Sequence, residues 1–141
     1  LELGELFPDQ KSSAHGADPV FWGGPVGATG VLALWRAQQQ TEAERVIPGV
    51  YLITTKTLLK KKLAEPADPS RLRVYLGYCG WGPSQLLREL EIGAWHVMRA
   101  EERLVFDPEP ETLWQRLIAR TELIPVRAPQ PARTRSAAPL L

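Results

Sequence analysis

The run Gly77-Tyr78-Cys79-Gly80-Trp81-Gly82-Pro83-Ser84-Gln85-Leu86 gathers most of the residue types in this chain that could do chemistry. Glycines between a strand and a helix permit backbone conformations closed to other residues, and amides at a helix start can receive an anion. Gly77, Tyr78, Gly80, Trp81, Gly82 and Gln85, with Arg73 before them and Glu89 after, are the candidate binding set for a small polar or anionic ligand. No lysine follows the last glycine, so this is not a Walker loop, and the glycine spacing is not the dinucleotide fingerprint. The competing reading, which we favour from sequence, is a tight turn that places Tyr78 and Trp81 in the core.

Other reactive residue types are isolated. Cys79 would need a lowered pKa and a base, and only His15 and His96 exist, so a small buried side chain is the preferred reading. One cysteine and two scattered histidines lack zinc-ligand spacing, and no cofactor or metal is expected. Ser84 is not in a Gly-Xaa-Ser-Xaa-Gly elbow. Glu89 and Glu91 point to different helix faces, and Glu101 and Glu102 fall in a charged turn, so no acid and base pair is assigned. The catalytic set is therefore empty, and Lys60, Lys61 and Lys62 read as a solvated helix face.

The elements that would position these residues follow from periodicity and punctuation. A short helix spans Leu1 to Phe7, and a loop through Ser12 and Ser13 follows. Val20 to Trp22 and Val31 to Trp35 read as strands around the Gly23-Gly24-Pro25-Val26 turn. Arg36 to Arg45 reads as an exposed connection, Val50 to Ile53 as a strand, Thr57 to Glu65 as an amphipathic helix and Arg73 to Tyr78 as a strand. Pro83 opens a helix with the stripe Leu86, Leu87 and Leu90. Ala94 to Met98 and Leu104 to Phe106 read as two more strands. Asp107 then caps a helix with Pro108 at its first position, and Leu113, Trp114, Leu117 and Ile118 share one face. Trp22, Trp35, Trp95 and Trp114 all fall where burial is expected, and only Trp81 falls in a loop.

At 141 residues, 44% hydrophobic and 23% charged, the chain is sized for one folded domain. The domain is read as residues 1 to 122, and the Pro- and Arg-rich residues 123 to 141 as a disordered tail. Of 17 basic residues against 16 acids, Arg127, Arg133 and Arg135 lie in that tail, leaving the body at −2. Direct DNA binding is therefore not expected. No run of about 18 apolar residues suggests membrane association. One cysteine and the lack of a basic and apolar leader point to the cytoplasm. The chain opens on Leu1 rather than methionine, so a longer product or processing is expected.

Gly23-Gly24-Pro25-Val26, the run Arg73 to Leu86, Gly93-Ala94-Trp95, and Leu104-Val105-Phe106-Asp107 with Trp114 resemble, in order and spacing, the AlgH/YqgE family of bacterial proteins. The resemblance runs from about Leu1 to about Ile118. It implies an α+β fold with a branched, mostly antiparallel sheet curled into a pseudo-barrel with flanking helices, and a cytoplasmic protein. Some members are described as regulators of transcription, notably of alginate production. The resemblance carries no catalytic residue across. This chain departs from the family pattern at Ser84, where glycine is usual, at Leu87, where glutamate is frequent, and at Trp35, where histidine is common. It also implies amino-terminal strands that precede Leu1, so that, if 1 to 141 is the entire polypeptide, exposed sheet edges and homo-oligomer formation are expected.

Three classes of function follow. The leading one is a non-enzymatic regulatory or protein-interaction protein that acts on transcription indirectly. The alternative is a small-molecule or nucleotide-binding protein, or an enzyme, using the Gly77 to Gln85 loop. Direct DNA binding ranks last.

Overall fold

A computed structural model describes residues 1–10, 15–39 and 42–122. The tail reading at 123–141 and the Ser12-Ser13 loop lie outside the described residues. α1 (Leu3–Leu6) opens the chain, with the Glu5 carboxylate accepting from the Glu2 main-chain N–H at 2.9 Å, and a 3-10 turn spans Pro8–Gln10. β1 (Val20–Trp22), β2 (Val26–Arg36), β3 (Glu44–Ile47), β4 (Val50–Ile53) and β5 (Leu72–Tyr78) form one sheet in the order β1-β5-β2-β4-β3. All neighbours are antiparallel except β1 and β5. The fold is α+β with a mostly antiparallel sheet, which curls without closing into a barrel.

One sheet face carries the core. Strand alternation puts Ala33 and Trp35 of β2, Tyr51 and Ile53 of β4 and Val74 of β5 on the same side. α2 (Lys56–Leu63) lays Leu59 and Leu63 on that face, beside Leu3 of α1. Lys62 departs from the solvated-face expectation: it follows Leu58 and Leu59 by one helical turn, so it faces the sheet. Its stem is buried, its ammonium lies 3.8 Å from the centre of the Trp35 ring, and Glu65 pairs with it at 2.7 Å. On the opposite face the Arg36 guanidinium lies 4.7 Å over the buried ring of Phe106.

Several elements differ from the sequence reading. The connection after Arg36 contains β3, whose Glu44 and Arg45 give the outer edge an exposed, charged character that discourages further pairing. Residues 94–101 form no strand, and residues 102–105 form α4 (Glu102–Val105). Apolar and β-branched residues become strand only where a neighbour completes the ladder. Here Leu104 and Val105 donate instead to the nearby carbonyl of Glu101. α5 (Pro110–Glu122) starts two residues after Pro108 because the Asp107 carboxylate accepts from the Glu109 N–H at 2.9 Å, which holds the entry as a turn. α3 (Gln85–Glu91) buries none of its residues, so the Leu86, Leu87 and Leu90 stripe does not enter the core. Of the five tryptophans only Trp35 is buried.

Two glycine segments meet main chain to main chain. A Cβ on Gly77, where φ is +68°, would sit 2.2 Å from the Gly24 carbonyl oxygen, and one on Gly23 would sit 2.2 Å from that of Gly77. Gly23 N–H donates to the Leu76 carbonyl at 2.8 Å across this crossing. Further along the loop, Gly80 and Gly82 do not adopt positive φ; Ser84 does, at +62°.

Gly77→Ala should cost about 2 kcal/mol or more of stability, whereas Gly82→Ala should stay within about 1 kcal/mol, because only the first meets backbone atoms. Ser84→Gly should raise stability by about 0.5–1 kcal/mol, since it relieves a left-handed conformation. Denaturant titration of the three variants checks all of these values.

Candidate functional site

The loop between β5 and α3 is organised by one carboxylate. Gln85 and Glu89 lie one turn apart on the same face of α3. The Glu89 Oε2 accepts from the Trp95 indole N–H at 2.6 Å and from the Trp81 indole N–H at 3.0 Å, while its Oε1 accepts from the Gln85 amide at 2.8 Å. The Gln85 carbonyl oxygen accepts from the Gly82 N–H at 2.9 Å. The two indoles pack edge to face with centres 5.5 Å apart. Hydrogen bonds from Trp95, then Gln85, then Trp81 hold the Glu89 carboxyl below the usual range.

The expectation that Tyr78 and Trp81 sit in the core is overturned, since both are exposed. Tyr78 ends β5 opposite Val26 and Trp81 lies in the loop beyond it, and both pack locally: Gly80 lies against the Tyr78 ring, and Trp81 against Trp95. Cys79 is likewise exposed rather than buried, with its thiol 3.6 Å from the Gly23 carbonyl. His96 is not in a strand. Its Nδ1 is 3.0 Å from the Thr121 hydroxyl, and its ring meets Trp114 edge to face.

Of the candidate binding set, the structure brings together Trp81, Gly82, Gln85 and Glu89, with Tyr78 and Gly80 beside them. Arg73 stands apart. It lies five residues before Tyr78 along β5, roughly 16 Å at strand rise. There its guanidinium is buried 5.0 Å from the Phe21 ring centre and donates to the Asp107 main-chain carbonyl. This second place is a cavity of about 270 Å³. It opens because Pro19 cannot join the β1–β5 ladder, which begins at Val20 opposite Val74 and leaves the β5 edge at Leu72 and Arg73 uncovered.

Sequence reasoning missed Trp95 as a partner of Glu89, and it missed His15. That ring is buried, with Nδ1 2.7 Å from the Asp18 carboxylate and Nε2 3.1 Å from the Glu65 carbonyl. The His15 and Asp18 spacing within a Gly and Pro turn was the available signal. Among the described residues, no group of three or more His, Cys, Asp or Glu is arranged to hold a metal, and no helix is long and apolar enough to cross a membrane.

Comparison with known proteins identifies the family and the fold. The AlgH-like family model matches residues 1–125. A UPF0301 protein of Myxococcus xanthus is 38% identical over 117 residues, covering 81% of this chain and 64% of that one. A UPF0301 protein of Streptomyces coelicolor is 32% identical over 127 residues, covering 85% and 64%. The chain thus spans a little under two thirds of the length of these relatives. The solution structure of the AlgH protein from Pseudomonas aeruginosa superposes with a TM-score of 0.66 over 93% of this chain and 74% of that one, at 22% identity, which supports the same fold. With the family model matched over residues 1–125 of 141, this chain belongs to the AlgH-like family.

Proposed function

We propose that this chain is a non-enzymatic, regulatory protein-interaction module whose docking surface is built on α3 and the segment after it. The observation that carries this reading is that α3 has no buried residue while its apolar side chains face water. Leu87 is 63% exposed and Ile92 80%, with Leu86, Trp81, Trp95 and Val97 exposed around them. Exposed apolar groups in such number mark contact surfaces, and tryptophan is the residue most enriched where binding energy concentrates. The Glu89 hydrogen bonds fix both indoles before any partner arrives, which lowers the ordering cost of association. The body charge of −2 favours a protein partner over nucleic acid, so any effect on transcription would be indirect, and a cytoplasmic setting suits that role.

A photo-crosslinking side chain in place of Leu87 should give discrete protein adducts in cells, whereas one in place of the exposed Lys61 on α2 should not. An adduct of twice the chain mass would identify a second copy as the partner. Leu87→Glu with Ile92→Glu should abolish adducts from the flanking position 86 while changing stability by no more than about 1 kcal/mol. Adducts equally frequent at position 61, or none at α3, would refute the docking surface.

The indole pair should also respond to acid. Because the folded-state carboxyl of Glu89 titrates below its ordinary value, its hydrogen bonds to Trp81 and Trp95 contribute fully above that value. The contribution is lost as pH falls through the lowered one. The indole N–H resonances of Trp81 and Trp95 should therefore hold steady at neutral pH and shift together below about pH 4. In Glu89→Ala they should already be shifted at neutral pH.

A further inference from the structure

Among the described residues, the buried guanidinium of Arg73 makes no direct ion pair with a carboxylate. The residue is 8% exposed, and its guanidinium donates to the Asp107 main-chain carbonyl. The carboxylate of Asp107 feels the charge of Arg73 but makes its contacts with Arg116, at 2.5 and 3.0 Å. Asp18, on the wall of the same cavity, is held by His15 at 2.7 Å. Buried charges in proteins are ordinarily paired, and a guanidinium with five N–H donors in a planar fork, beside an aromatic ring, is matched to a planar anion.

The cavity wall restricts what that anion can be. Pro19, Pro69, Pro108 and Pro110 line it and offer no main-chain N–H, and Phe21 and Phe106 add aromatic surface. Ser70 is the remaining small polar group, but its N–H and hydroxyl both bond the Asp68 carboxylate. Arg73 is thus the one cation among the lining residues, on a mostly apolar wall whose single carboxylate, Asp18, is engaged by His15. A phosphate dianion needs several donors, whereas one guanidinium and a mostly apolar enclosure suit a single negative charge on a compact carbon body. We infer that the cavity between Arg73, Phe21 and the four prolines is a binding site for a small organic monocarboxylate with a flat or branched apolar body. This site is independent of the α3 surface and of the ligand reading for the glycine loop.

Benzoate and its neutral isostere benzamide test the assignment on the unaltered chain by titration followed by amide NMR. Benzoate should shift the amides of Arg73, Val74 and Phe106 and bind about ten-fold or more tightly than benzamide, the factor expected for one charge-assisted pair. Arg73→Gln, with folding checked by its amide spectrum, should remove that preference. Equal affinity for the two compounds, shifts confined to other surfaces, or no binding of either would overturn the proposal. The comparison on the unaltered chain decides even if Arg73→Gln fails to fold.

Discussion

The crossing of Gly23 and Gly24 over Gly77 is the constraint on which the rest of the arrangement depends. No side chain fits between these main chains, because the nearest carbonyl oxygens occupy the Cβ positions. The crossing sets the entry of β2 after β1 and the exit of the chain from β5. Tyr78 ends β5 with its ring exposed, and the loop that follows takes Cys79 and Trp81 to the surface. The aromatic display of α3 is a consequence of glycine geometry one strand away.

A second theme is the placement of cations on aromatic faces. Lys62 covers Trp35 on the core face, Arg36 covers Phe106 on the other, and Arg73 lies by Phe21 at the sheet edge. Each lets a charged side chain close a sheet face without removing its head from favourable electrostatics. Asp107 ties this layer to α5: its carboxylate receives the Glu109 N–H and the Arg116 guanidinium, while its carbonyl receives Arg73. Sheet and terminal helix thereby share one residue.

The strands of the central sheet were legible because their signals are local. Val50 to Ile53 and Arg73 to Tyr78 are short β-branched or aromatic runs bounded by Gly and Pro, and the structure keeps them within a residue. The α2 helix was legible from its leucine spacing, yet Lys62 was not, since its burial depends on Trp35 arriving from a distant strand. Trp95 and Trp114 misled for the same reason: hydrophobicity reports an affinity for burial, while a covering surface must come from elsewhere in the fold. The glycine and tryptophan segment stood out in sequence for its residue types, but sequence placed its rings inside, whereas Tyr78 and Trp81 are exposed. Grouping Arg73 with the loop followed proximity in sequence, whereas the strand carries it to another cavity.

The parallel pairing of β1 with β5 has a kinetic corollary. β3 and β4 are joined through Pro48-Gly49 and can meet within a few residues, but Val20 must find Val74 across more than fifty intervening positions. Chain closure over that span carries a greater entropic cost than the β3–β4 turn, and β5 meets β2 across nearly as long a span, so both neighbours of β5 bear the same late-closing cost. Detachment of β1 takes Pro19 and Phe21 with it, and the Arg73 enclosure is therefore a property of the completed native state, absent from any species in which the central strands alone have formed.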